Sequence, residues 1–242
     1  MAVPAANYLM IPASFTNNPG AATKTSGNIT TFPGSLSTTN WNLTDAVSQS
    51  SWRYSYQRLW VRAGSPTTDP GDGSTSVPDP GIYRKTGDYR VNSGGWQNLS
   101  GSRVIFVDGN LEINYRVTLA GANDFLAFIV SGDINVDPAV GDTAVASPVP
   151  AQADLVGAFL AEGDFNAGSN PSQPDKQLVI YGTIGADIDL GINNGGRVNF
   201  QRDMGANNSV GPGVAVIWNP NLLLNWPEQL SDAVTDWREV AP

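Results

Sequence analysis

A motif recurs along the second half of this chain and limits what it can fold into. A continuous apolar run meets a glycine turn and leaves it as a short alternating strand. Arg103-Val-Ile-Phe-Val-Asp-Gly-Asn-Leu-Glu-Ile-Asn114 is followed by Phe125-Leu-Ala-Phe-Ile-Val-Ser-Gly-Asp-Ile-Asn-Val136 and by Leu155-Val-Gly-Ala-Phe-Leu-Ala-Glu-Gly-Asp-Phe-Asn-Ala167. Gln177-Leu-Val-Ile-Tyr-Gly-Thr-Ile-Gly-Ala186 reads as a shortened fourth copy. The turn glycines are Gly109, Gly132, Gly163 and Gly182, spaced by 23, 31 and 19 residues.

Runs such as Val104 to Val107 suit strands buried on both faces. The glycine permits a sharp corner at positive φ. Beyond it Leu111 and Ile113, or Ile134 and Val136, point one way while the residues between them face water. One such unit cannot bury its apolar face alone, and stacking copies along an axis solves the problem. The expected fold is therefore mainly β: a β-solenoid of the parallel β-helix kind, with loops of uneven length at the corners. A β-sandwich or jelly roll is the alternative, since it too shows several short strands with turn signals.

The flanks differ in character. Residues 1–81 read as an extended Pro/Gly-rich arm with an aromatic segment, and 82–242 as the solenoid domain with a C-terminal helix. Pro4, Pro12, Pro19 and Pro33 preclude a long helix near the N-terminus, where Asn7-Tyr-Leu-Met-Ile11 is an isolated strand candidate. Leu43 to Arg62 reads as a short helix followed by aromatic extended chain, and residues 63–81 as a loop. Val214 to Trp218 is one more strand. Pro227 to Trp237 reads as a helix with Pro227 and Glu228 at its start and Leu230, Val234 and Trp237 on one face. Such a helix could cap an open end of the stack.

Composition narrows the chemistry. The chain has neither cysteine nor histidine, so disulfides, Cys- or His-ligated metal centres and histidine-dependent triads are ruled out. Its 22 acidic and 13 basic residues leave a net charge of −9, which disfavours nucleic acid as a partner. No apolar run approaches the roughly 20 residues of a membrane-spanning helix. Met1 to Pro12 has no basic n-region and no apolar h-region, and reads as the start of a mature or truncated chain.

The order Pro80-Gly-Ile-Tyr83, Val104 to Ile113, Ile129 to Val136 and the closing Trp237-Arg-Glu-Val-Ala-Pro242 resembles the β-helical C-terminal region of pilus-assembly-type (PilX-like) surface proteins of candidate-phyla bacteria. The resemblance covers about residues 80–242. It implies an exported, surface-associated structural protein and supplies no catalytic residue.

Three features invite a chemical reading. Asp69, Asp72 and Asp79 lie on a Gly/Pro-rich loop that could offer oxygens to calcium, or simply make Asx turns. Asp108, Asp133, Glu162 and Asp164 could form a glycosidase-type pair. Their recurrence beside each turn glycine argues for turn chemistry instead. Trp52, Tyr54, Tyr56 and Trp60 could pack on the solenoid flank, face a subunit or stack on sugar. The sequons at Asn28, Asn42, Asn98 and Asn207 carry little weight in so Asn- and Ser-rich a chain.

The expectation is a structural, non-enzymatic subunit of a cell-surface filament, pilus or coat. It would be extracellular or surface-bound, self-associating into a homopolymer and without a cofactor. Tyr8, Leu9, Ile11, Trp52, Tyr54 and Tyr56 are the candidate subunit-interface residues. The alternatives are an adhesin module that binds a surface glycan and a polysaccharide-degrading β-helix enzyme.

Overall fold

The computed structural model describes residues 55–143, 152–168, 170, 172–186 and 196–230, with the backbone of 30–31 and 34–35. The last two pairs form β1 (Thr30–Thr31) and β2 (Gly34–Ser35), a two-residue antiparallel ladder. The rest of the fold is two parallel sheets traversed in alternation. Long strands β3 (Gly81–Thr86), β5 (Ser102–Asp108), β7 (Phe125–Val130), β9 (Leu155–Ala161), β11 (Leu178–Gly185) and β13 (Val214–Ile217) make a six-stranded sheet in the order β13-β11-β9-β7-β5-β3. Three-residue strands β4 (Tyr89–Val91), β6 (Leu111–Ile113), β8 (Ile134–Val136), β10 (Phe165–Ala167) and β12 (Val198–Phe200) make a five-stranded sheet in the order β12-β10-β8-β6-β4.

Each of the first three copies of the motif contributes one strand to each sheet, so the copies form tiers; the fourth contributes β11 alone, and β12 lies beyond it. The register follows the sequence repeat: Leu111 pairs with Ile134, Ile134 with Phe165 and Phe165 with Val198. Sandwiches and jelly rolls pair their strands antiparallel, whereas every pairing within these two sheets is parallel. The return segments also touch in parallel, Leu99 against Leu119 and Val117 against Leu155.

The unbroken apolar runs occur where the six-stranded sheet is covered on both faces. Ile105, Val107, Leu126, Phe128, Val130 and Phe159 point toward the five-stranded sheet and meet Tyr89, Leu111, Ile113, Ile134 and Phe165. Val104, Phe106, Phe125, Ala127, Ile129 and Leu160 point the other way, into a second cluster. Each large side chain buried this way contributes about 1.5–3 kcal/mol. Phe128 stands at the centre of the inner layer, with ring centroids 6.0 Å from Phe159 and 5.7 Å from Trp96.

Helix α1 (Tyr56–Arg62) covers part of the outer face. Ser55 caps it, its Oγ accepting the Arg58 N–H at 3.3 Å. Tyr56 and Leu59 are its buried residues. The expectation of aromatic extended chain leading to Arg62 is therefore corrected. The spacing of Tyr56 and Leu59 is helical, and the alternation that suggested a strand depended on Trp52 and Tyr54, which lie outside the described residues.

The C-terminal end also differs from its sequence reading. α2 (Asn221–Leu224) and a single 3-10 turn at Glu228–Leu230 are described, while Val234 and Trp237 lie outside the described residues. Leu222, Trp226 and Leu230 do not close the end of the stack. They join the cluster on the outer face, where Trp226 meets Phe125 edge-on with centroids 5.5 Å apart.

Candidate functional site

The corners between the sheets hold the residues that looked most chemical in sequence. Gly87-Asp88, Gly109-Asn110, Gly132-Asp133 and Gly163-Asp164 occupy equivalent places in successive tiers. Only Gly87 has a positive φ, at 83°, so the expectation that Gly109, Gly132 and Gly163 turn the chain through positive φ is overturned. Their physical requirement is closeness. A Cβ on Gly109 would lie 2.6 Å from the Gly87 carbonyl carbon, one on Gly132 2.8 Å from the Gly109 oxygen, and one on Gly163 2.9 Å from the Gly132 oxygen. The glycines also bond to one another: Gly132 N–H donates to Gly109 O at 2.9 Å and Gly163 N–H to Gly132 O at 3.0 Å.

Gly182 does not belong to this column. It lies inside β11 opposite Gly157, six residues before its sequence counterpart Gly163 would require. The fourth copy is thus out of step with its sequence alignment. A first tier, β3 to β4 with its corner at Gly87-Asp88, precedes the copy that begins at Arg103.

The residue after each corner glycine builds a second column. Asn110 N–H donates to Asp88 Oδ1 at 2.8 Å, Asp133 N–H to Asn110 Oδ1 at 2.9 Å, Asp164 N–H to Asp133 Oδ1 at 2.8 Å, and Arg197 N–H to Asp164 Oδ1 at 2.7 Å. Such a ladder needs a short side chain with an acceptor oxygen, which Asp and Asn alike provide. Arg197, with no acceptor, ends it.

The other carboxylates proposed as chemical are also engaged. Asp108 pairs with Arg84 at 2.8 Å, and the same guanidinium lies 4.9 Å from the Trp60 ring centroid. Glu162 Oε1 accepts the Tyr56 N–H at the start of α1 at 2.8 Å. On the outward face of the five-stranded sheet, Arg90 pairs with Glu112. Asn166 donates to Asn135 at 2.9 Å and Asn199 to Asn166 at 2.8 Å.

The two ends of the stack are unlike. At β3, residues 64–80 lie over the edge. Thr68 O accepts the Arg84 N–H at 2.9 Å, and Gly73 O accepts the buried Trp96 Nε1–H at 2.8 Å. In this loop Asp69 Oδ1 accepts Gly71 N–H at 2.7 Å and Asp72 Oδ1 accepts Ser74 N–H at 2.9 Å, both Asx turns. Lys85 Nζ lies 3.1 Å from Asp69. No group of three or more metal-ligating side chains occurs among the described residues. At the opposite end β13 pairs, among the described residues, only with β11, and Trp218 just beyond it is 57% exposed.

A buried polar strut ties the return loops together. Arg202 donates to Asp137 O at 2.8 Å, Pro138 O at 3.0 Å, Val140 O at 2.7 Å and Lys176 O at 2.8 Å. Burial lowers its pKa to about 10. Asp154 is buried, accepts the Val179 N–H at 2.8 Å and faces Arg116 Nε at 3.0 Å. Burial raises its pKa, against the lowering effects of the Val179 hydrogen bond and the Arg116 charge.

Of the interface candidates, Tyr8, Leu9, Ile11, Trp52 and Tyr54 lie outside the described residues. Tyr56 is 6% exposed and packs edge-on against Phe106 of its own chain, with centroids 5.6 Å apart. Asp88, Asn110 and the β13 edge were not singled out from the sequence. The ladder was visible there as an Asx after every corner glycine. The edge had no local signal.

No family model, no curated protein and no solved structure aligns with the chain. No helix among the described residues is long and apolar enough to cross a membrane.

Proposed function

We propose that the chain is a β-solenoid serving as a structural subunit of an exported cell-surface filament, pilus or coat. The observation that carries this reading is the occupation of the corner column: Asp88, Asn110, Asp133 and Asp164 hold the next tier rather than facing a common cleft. Side chains spent on stacking make a stiff rod, and a rod with one covered end and one strand edge left unpaired among the described residues suits head-to-tail assembly, which yields filaments when the rotation does not close. The solenoid reading draws on the parallel in-register tiers and on the return segments that also touch in parallel. The resemblance of residues 80–242 to PilX-like surface proteins supports the same reading, with the subunit exported to the cell surface.

Negative-stain electron microscopy of the purified chain at high concentration tests the reading. Filaments are expected; discrete single-chain particles at every concentration contradict it. A second reading, a glycan-binding module, draws on the outward amide row Asn135, Asn166 and Asn199. A glycan array distinguishes it, because a purely structural subunit retains no sugar.

A further inference from the structure

The two edges of the six-stranded sheet are defended differently. β3 carries Arg84 and Lys85, and the loop at residues 64–80 bonds to it. β13 reads Val-Ala-Val-Ile, with no charge and no proline among its residues, and among the described residues no strand pairs with its outer side. Charges, prolines and covering loops are the ordinary protection of a sheet edge, and an edge without them is a template for another strand. The rows of unpaired N–H and C=O groups recognise extended backbone, while side chains on alternate faces set the preference.

A second copy cannot fill this edge with its own β3, because that strand is covered by the 64–80 loop. The occupant has to come from extended chain outside the sheets. Residues 1–54 hold one apolar stretch, Tyr8-Leu-Met-Ile11, with Pro12 immediately after it. Its four residues match the length of Val214–Ile217. Charge favours the encounter as well. Residues 1–54 carry Lys24 and Arg53 against Asp45, net +1, while the remaining 11 basic and 21 acidic residues leave −10 on the rest of the chain.

We infer that the outer edge of β13 accepts residues 8–11 of a second copy as an added strand, joining subunits head to tail. This rests on the assembly reading above and names the contact that would build it. Absence of cysteine from the chain makes the test clean. Full-length Leu9→Cys and Ala215→Cys variants are mixed at high concentration and treated with a bis-maleimide spanning about 8 Å, the reach of diagonal neighbours across paired strands. Circular dichroism confirms that each variant is folded. A covalent dimer is expected in the mixture, and its yield is expected to fall when excess cysteine-free protein, which carries the same residues 8–11, is added as a competitor.

The double variant Leu9→Cys/Ala215→Cys should give a ladder of multimers. A link closed only within one chain would overturn the inference in favour of self-docking, and no link at all in folded protein would overturn it outright. Filaments that persist after deletion of residues 1–16 would also overturn it while leaving the assembly reading intact. Linked dimers without filaments would uphold strand addition and count against the filament.

Discussion

The backbone N–H of Asp164 donates to the Oδ1 of Asp133 at 2.8 Å, across 31 residues of sequence. The contact repeats one tier below from Asp133 to Asn110. Parallel pairing leaves the groups at a sharp corner without the regular ladder of a strand, and losing a hydrogen bond at such a partly exposed place costs about 0.5–1.5 kcal/mol. The Asx oxygen fills that gap at each corner, and the adjacent glycine lets the tiers approach closely enough for it to reach.

Gly132→Val should destabilise the protein by about 3 kcal/mol, because its Cβ meets backbone that cannot move aside without breaking the stack. Gly121→Ala is the control. Its Cβ meets only Asp124 Oδ2, at 3.4 Å, and the change should stay within about 0.5 kcal/mol. Chemical denaturation of the two variants measures both. Equal losses would mean that closeness at the corner is not what glycine provides.

Phe128→Ala should cost about 4 kcal/mol, since its ring meets Tyr89, Trp96 and Phe159 in the layer between the sheets. A loss under about 1 kcal/mol in urea unfolding would show that the inner layer repacks freely.

Arg202→Met removes the donor to four backbone carbonyls, three of them in the loop at residues 137–140, and keeps much of the side-chain volume. Stranding those acceptors should cost about 3 kcal/mol. It should also speed hydrogen exchange in residues 137–142. Unchanged exchange there would mean that the strut does not hold the return loop.

Asp154 gives a pH dependence with a defined sign. Its folded pKa lies above the ordinary 3.8, with burial as the main cause. Between those two values the folded state holds more protons than the unfolded one, so this group's contribution to stability falls as pH rises through the window. It is greatest below the ordinary Asp value. The stability of the wild type relative to Asp154→Asn should therefore decline as pH rises from below 3.8. Denaturation series across that range measure the difference, and a difference that rises with pH would reverse the assignment.

The sequence revealed the tiers because a buried parallel strand and a glycine corner leave strong local marks. Val104 to Val107 and Phe125 to Val130 carry the mark of strands buried on both faces, though the runs alone left a β-sandwich open. The first tier was missed because Ile82-Tyr-Arg-Lys-Thr86 lies at the sheet edge, where Arg84 and Lys85 interrupt the apolar run. The copy containing Gly182 was set out of step because a glycine facing Gly157 inside a strand looks the same in sequence as one at a corner. Gly109, Gly132 and Gly163 were located correctly and explained wrongly. Positive φ is a property of one residue, whereas the approach of Gly132 to Gly109 depends on residues 23 positions apart. The face covered by Leu222, Trp226 and Leu230 was illegible for the same reason, since amphipathic spacing shows that a segment packs and not what it packs on.

The melting temperatures of Asp133→Asn and Asp133→Ala, measured side by side, test most directly whether the corner carboxylates exist to stack the tiers. An amide already fills this place at Asn110, so Asp133→Asn should unfold within about 0.5 kcal/mol of the wild type. Asp133→Ala leaves the Asp164 N–H without its acceptor and should lose about 1.5 kcal/mol. Asn and Ala variants destabilised equally would mean that the negative charge, and not the acceptor oxygen, is what the corner requires, and the structural reading of the column would fail.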